Sequence, residues 1–170
     1  NQTLIVALGR SFDDTNNTQP LALPALDKAH AADPACYSCH KTLDPMRQVF
    51  RQAYTLTYHE QKDPTQTSMP GVFAFDGITK NISSPRDLAL AMASHPRFAL
   101  AWTQKLCYWA NSSPCSENDP EFQRIAAAFE SSGHKWKTLV RELLSSPLVT
   151  GTRNTQTFAD QGMTISVSRR

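Results

Sequence analysis

Cys36, Cys39 and His40 are the residues whose types and spacing point most directly to chemistry, because they form the motif C-x-x-C-H in the stretch ADPACYSCHKTLDP. Three chemistries use closely paired cysteines: a redox disulfide, a zinc site and the covalent attachment of haem. In haem attachment each thiol adds across one vinyl group, and the adjacent histidine coordinates the iron. One helical turn with this spacing brings all three side chains to the same haem.

The surrounding sequence argues against the first two chemistries. A thioredoxin-like motif follows a strand of a βαβ unit, whereas the preceding run LALPALDKAHAADPA is Ala-rich and contains no β-branched residue. A zinc site needs two more ligands at finger-like spacing, and Cys107 and Cys115 lie far along the chain. The motif therefore predicts one covalent haem c with His40 as proximal ligand. A chance C-x-x-C-H in a structural disulfide or a metal knuckle is the alternative.

Covalent haem attachment takes place outside the bacterial energy-transducing membrane, so the motif predicts a periplasmic or extracellular protein. Cys107 and Cys115 agree with an oxidising compartment, because they can close a short loop as a disulfide; two buried free thiols are the alternative. The first residues, NQTLIVALGR, do not form a signal peptide, so we expect a mature or processed chain.

Composition sets the remaining bounds. The chain has 170 residues, of which 40% are apolar and 19% charged, with a net charge of +2. This length is enough to bury a hydrophobic core. The weak net charge gives no indication of a nucleic-acid partner. No apolar run is long enough to cross a bilayer, so we expect no transmembrane segment.

The predicted architecture is all-α, with a cytochrome c-like haem-binding half, a long loop and a small helical bundle. The segments are an N-terminal extension, a haem-binding region, a helical module and a C-terminal tail, at residues 1–25, 26–83, 84–150 and 151–170. Leu43, Phe50 and Tyr54 recur at near-helical spacing, which predicts a helix from the motif to about residue 58. Pro45 is expected early in that helix, where its missing N–H has little effect. Residues 61–83 predict a loop with at most a small hairpin.

Caps and apolar stripes predict the helices of the second half. Ser84 with Asp87 and Asp119 before Pro120 are N-terminal signals, and Gly133 is suited to a left-handed helix end. The last helix should end before Pro147. The apolar faces expected to be buried comprise Phe98, Trp102, Leu106 and Trp109, then Phe122, Ile125, Ala126 and Phe129, and finally Trp136, Leu139, Val140 and Leu143.

The sequence alone does not decide which residue, if any, is the distal ligand of the iron. Met69, in QTSMPGVF, is the first candidate, because a Met-Pro step gives a stiff extended backbone that can hold a thioether against iron. His59 is the alternative ligand, and an open iron is the third case. Met46 lies on the proximal helix and is discounted. The other candidates have more ordinary expectations: core packing for Met92 and Trp102, and solvated or capping positions for His30, His95 and His134.

Several residues are expected around the haem. Tyr37, between the two cysteines, is expected to touch the haem edge. Arg47 or Arg51 is expected to pair with a propionate through a bidentate fork, with a solvated helix face as the alternative. Aromatic residues expected to wall the pocket and tune the potential are Phe50, Tyr54 and Phe73.

The stretch HAADPACYSCHKTLDP resembles the cytochrome segment of the planctomycete-type cytochrome c family. The residues that match its pattern H-x-x-x-x-x-C-x-x-C-H-x-x-x-D-P are His30, Cys36, Cys39, His40, Asp44 and Pro45. The segment from DLALAMASHPRF to LLSSPLV is similar to the helical module that follows it in those proteins, so the resemblance covers about residues 26–150. The family usually has a glycine shortly after Asp-Pro, where this chain has Met46 and Arg47. The resemblance implies a haem-bearing unit of a larger exported redox protein.

These observations predict an exported mono-haem c-type cytochrome that transfers single electrons to or from protein partners. One alternative is a haem enzyme of peroxidase or oxygenase type with an open distal face, for which His59 is the candidate acid–base group. The other is a haem-bearing subunit of a larger assembly, docked through the Trp- and Phe-rich helices.

Overall fold

The computed structural model describes residues 1–12, 33–50 and 70–151. Most of these residues are helical, and a two-stranded antiparallel sheet is the remaining regular structure among them. The all-α prediction is therefore confirmed at the level of a mainly helical fold. The elements are α1 (Gln2–Leu8), α2 (Pro34–Arg47), a 3₁₀ helix (Gln48–Phe50), β1 (Gly71–Phe75), β2 (Ile78–Ile82), α3 (Pro85–Ala93), α4 (Arg97–Asn111), α5 (Pro120–Ser131), α6 (Trp136–Leu144) and α7 (Pro147–Thr150).

The chain divides into two compact units, Asn1–Trp102 and Thr103–Arg170. Helix α3, which the sequence assigns to the helical module, contributes its buried face to the core of the first unit. The segment boundary after residue 83 stays a prediction. Among the described residues, no helix combines the length and the apolar character that a membrane span requires.

The core of the first unit is formed by α1, α2, the hairpin and α3. Its buried members are Leu4, Leu8, Met46, Val49, Phe73, Phe75, Ile82, Leu88, Ala91 and Met92. The hairpin pairs Gly71 with Ile82 and Phe75 with Ile78. Asp76 and Gly77 both have positive φ, which is the turn geometry that Asp-Gly favours in two-residue hairpins. The prediction of a small hairpin within 61–83 is confirmed for its described part.

Helix α2 differs from the sequence prediction at both ends. It begins at Pro34, before the motif, because the side chain of Asp33 accepts a hydrogen bond from the backbone N–H of Ala35. The prediction that Pro45 lies early in the helix is therefore wrong, since Pro45 lies in its last turn. A proline there removes an N–H from the helical ladder. The α-helix ends at Arg47 and continues as a 3₁₀ helix to Phe50, so the predicted α-helical extension toward residue 58 is wrong within this part.

The predicted cap of α3 is confirmed in outline. The hydroxyl of Ser84 accepts a hydrogen bond from the backbone N–H of Asp87. The carboxylate of Asp87 in turn accepts the backbone N–H of Ser83 at 2.9 Å and its hydroxyl at 2.6 Å. The side chains of Ser84 and Asp87 thus accept two backbone N–H groups and one hydroxyl at the start of the helix. These bonds fix the start of α3 immediately after β2.

His95, between α3 and α4, is buried rather than solvated, with 4% of its surface exposed. Its ring packs against Phe73 and Phe75. The ring Nδ1 accepts the backbone N–H of Arg97 at 3.1 Å, and Nε2–H donates to the carbonyl of Phe75 at 3.3 Å. His95 therefore caps α4, as one expectation held, and also ties that helix to the hairpin.

The second unit contains α5, α6 and α7. The side chain of Asp119 accepts the backbone N–H of Glu121, and Gly133 has a φ of 72° directly after α5, as predicted. The predicted apolar face of α5 is buried and comprises Phe122, Ile125, Ala126 and Phe129. Two predicted core residues are wrong: Trp109 is 74% exposed and Trp136 is 50% exposed. Helical spacing placed both on apolar stripes, but Trp109 lies in the last turn of α4 and Trp136 is the first residue of α6.

Cys107 and Cys115 form a disulfide with their Cα atoms 5.9 Å apart. The predicted pairing is therefore confirmed. The loop that it closes is held further by Gln104, whose side-chain amide donates to the carbonyl of Cys115 at 2.8 Å. This short cross-link fixes the end of α4 to the chain that leads into α5.

His95 should make the stability of the protein depend on pH. Burial lowers its pKa below the ordinary value of 6.5 and outweighs the hydrogen bond to Phe75, so the folded state binds fewer protons than the unfolded state. The stabilisation is complete above pH 6.5 and decreases as the pH falls from 6.5 toward the lower folded-state pKa. We expect His95→Asn, which does not titrate, to remove this part of the pH dependence. Urea unfolding of both proteins at several pH values between 7.5 and 5 checks it, and parallel curves would contradict it.

Candidate functional site

Helix α2 carries Cys36, Cys39 and His40 within its first two turns. The helix forms there because Asp33 caps it and Pro34 occupies the first helical position, where its fixed φ suits a helix. Residues three and four apart on a helix share a face. The early start at Pro34 therefore places all three motif residues in regular helix and aims them to the same side.

The second half of α2 is the buried part. Thr42, Asp44, Pro45 and Met46 are all buried there. By contrast, Cys36 and His40 in the first half are partly exposed, and Cys39 is exposed. The helix therefore packs through its C-terminal half and leaves the motif side chains accessible.

The hairpin packs against the buried C-terminal half of α2. Gly71, at the start of β1, lies so close to the helix that a Cβ atom at this position would overlap the carbonyl oxygen of Pro45. Met46 and Val49 continue the contact into the core of the first unit. The orientation of the motif is thus set by packing two turns further along the same helix.

His40 has a defined polar neighbour on this helix. Its Nδ1 atom lies 2.8 Å from the Oδ1 atom of Asp44, and Asp44 is 7% exposed. A carboxylate accepts hydrogen bonds, so the Nδ1–H of His40 is the donor. With Nδ1 bound in this way, Nε2 is the nitrogen through which the ring would coordinate a metal.

The two motif thiols differ in their surroundings. Both are free cysteines. Partial burial, together with the charge of Asp33 and a hydrogen bond to it, raises the pKa of the Cys36 thiol. The Cys39 sulfur accepts a hydrogen bond from the hydroxyl of Ser38 at 3.8 Å. Both thiols are in the reduced form that haem attachment requires.

The donor set of this face fits a haem c. It offers two free thiols and one imidazole within a single helical turn, and a carboxylate that orients the imidazole. Within the described residues, no group of three or more His, Cys, Asp or Glu side chains is placed to hold a metal ion by itself. A haem would bring four nitrogen ligands of its own, so it would not need such a cluster of side chains.

The other residues predicted around the haem fall in different places. Tyr37 is partly buried, and the Nζ atom of Lys41 lies 6.0 Å from the centre of its ring. Arg47 is partly buried at the end of α2, two turns from His40. Phe50 packs at the edge of the core. Phe73 is fully buried in the core of the first unit, and its expected place in the wall of a haem pocket stays a prediction.

The candidates for the distal ligand are only partly covered by the described residues. Met69 and its alternative His59 lie outside them, as do His30, Arg51 and Tyr54. Met46 and Met92 are buried core residues, as expected. Both ring nitrogens of His95 make hydrogen bonds. His134 packs edge-on against Phe129.

Comparison with protein-family models, with curated proteins and with solved structures finds no match to this chain.

Sequence reasoning missed the contact of Asp44 with His40. Asp44 was noted only as part of the Asp-Pro step of the family pattern. The signal was present, because Asp44 follows His40 by four residues and such pairs are neighbours on a helix. The sequence prediction placed Pro45 near the start of the helix, so it did not place His40 and Asp44 together in regular helix.

We expect Gly71→Ala to destabilise the first unit by about 1–3 kcal/mol, because the added methyl group would collide with the backbone of Pro45 rather than with a flexible side chain. Urea unfolding measures the change. Thr79→Ala, at an exposed position of the same hairpin, is the matched control and should have a smaller effect. Equal stability of wild type and Gly71→Ala would show that α2 does not pack closely on the hairpin.

Proposed function

We propose that this chain is an exported mono-haem c-type cytochrome that transfers single electrons to or from protein partners. Cys36 and Cys39 form the two thioether bonds, and His40 is the proximal ligand of the iron. We further propose that the chain is related to the planctomycete-type cytochrome c family over about residues 26–150, as the motif and the following helical sequence suggest.

One observation carries the proposal. The two motif cysteines are free and lie with His40 on the outward face of one helix, while the remaining two cysteines are joined to each other. Two thiols beside one imidazole are the side chains that a covalently attached haem c uses, which supports the proposal.

The residues of the chain have separate tasks in this function. A bound haem supplies a one-electron couple at its iron. Cys36 and Cys39 hold the group by covalent bonds, so that it cannot dissociate between electron transfers. Cys39 is exposed, so a haem attached to it would be within reach of a protein partner.

Export to the periplasm or the cell exterior is part of the proposal. The disulfide between Cys107 and Cys115 supports it, because disulfides persist in oxidising compartments. Covalent haem attachment points to the same side of the membrane.

Production of the chain with an export signal in bacteria that carry the c-type maturation machinery tests haem attachment. We expect one haem per chain, retained after denaturation, with the pyridine haemochrome spectrum of a two-thioether haem and the matching increase in mass. Cys36→Ala/Cys39→Ala should lose covalent haem. Cys107→Ala/Cys115→Ala, which removes the same number of cysteines, should keep it. A wild-type chain that accumulates in folded form without haem would refute the proposal.

The absorption spectrum decides between electron transfer and catalysis. We expect a low-spin ferric spectrum with the weak long-wavelength band of an iron–methionine bond, and loss of that band in Met69→Ala. A His59→Ala variant tests the alternative ligand in the same way. A high-spin ferric spectrum, with tight binding of carbon monoxide after reduction, would instead indicate an open iron and a haem enzyme.

A further inference from the structure

Asp44 is an acidic side chain that contacts His40, and it is buried. Of the two groups, the His40 side chain is 33% exposed and the Asp44 side chain 10% exposed. Their 2.8 Å contact is short for a nitrogen–oxygen hydrogen bond, which is typical when one partner is charged. A buried carboxylate is costly unless it is hydrogen-bonded, so its place beside the imidazole calls for a physical role.

We propose that Asp44 is a positioning residue that sets the reduction potential of the haem by acting through His40. This inference rests on the proposed function, because it requires an iron bound to Nε2 of His40. The carboxylate fixes the tautomer and the plane of the ring and gives the imidazole greater basicity. A more basic ligand donates more charge to the iron and stabilises the ferric over the ferrous state. Asp44 therefore lowers the potential.

The backbone makes this contact rigid. Asp44 is followed by Pro45, and the carbonyl of Pro45 lies against Gly71 of the hairpin. The part of α2 that carries Asp44 is thus packed against the hairpin, and Asp44 itself is buried. The hairpin thus fixes the carboxylate, the carboxylate orients the imidazole, and the imidazole would be held against the iron.

The test compares two variants that each remove one carboxylate charge from α2. Asp44→Asn keeps the shape of the side chain but weakens the hydrogen bond to His40. Asp33→Asn changes the helix cap beside Cys36, and Asp33 bonds to Ala35 rather than to His40. Spectroelectrochemical titration of the holoprotein gives the midpoint potential of each. We expect Asp44→Asn to favour the ferrous state about tenfold, which corresponds to about 59 mV upward for a one-electron couple, and Asp33→Asn to give a much smaller shift.

The outcomes separate this inference from the proposed function. A chain that binds no haem overturns both. A chain that carries haem c, and whose potential changes equally in Asp44→Asn and Asp33→Asn, overturns the role of Asp44 alone, because the effect is then one of net charge.

A second measurement covers the case in which Asp44→Asn yields no holoprotein. Resonance Raman spectroscopy of the ferrous Met69→Ala variant, which lacks the expected methionine ligand and keeps Asp44, gives the iron–histidine stretching frequency. We expect a frequency above that of a haem–imidazole complex without a carboxylate partner. An equal frequency in the two would overturn the inference.

Discussion

The packing of the C-terminal half of α2 against the hairpin is the interaction on which the geometry of the motif depends. Thr42, Pro45 and Met46 are buried there, and the absence of a side chain at Gly71 lets the two backbones approach. Cys36, Cys39 and His40 precede this buried part on the same helix and are exposed or partly exposed. The position of the motif is thus a consequence of how the core of the first unit is filled.

Two buried polar side chains of the first unit, His95 and Asp44, are hydrogen-bonded. His95 is buried among aromatic rings, and both of its ring nitrogens are bonded to backbone groups. Asp44 is buried at the margin of the core and bonded to His40. His95 joins the hairpin to α4. Asp44 joins the buried part of α2 to the motif residue His40. A buried polar group that is fully bonded fixes geometry more strictly than an apolar contact does.

The four cysteines divide into two pairs with different chemistry. Cys107 and Cys115 are linked across a short loop, whereas Cys36 and Cys39 remain thiols one helical turn apart. Cys107 and Cys115 cross-link the chain, whereas Cys36 and Cys39 keep the thiol groups that could form bonds to another group.

The sequence by itself determined the motif, the disulfide pair, the mainly helical class and the helix caps at Ser84 and Asp119. These features depend on residue type and on short-range spacing, which are visible in one dimension. Only the tertiary structure decided which part of α2 is buried, that the carbonyl of Pro45 lies against Gly71, and that Asp44 is buried while Trp109 is exposed. Burial depends on neighbours that come from distant parts of the chain, such as Gly71 for Pro45. No local pattern in the sequence can specify those neighbours.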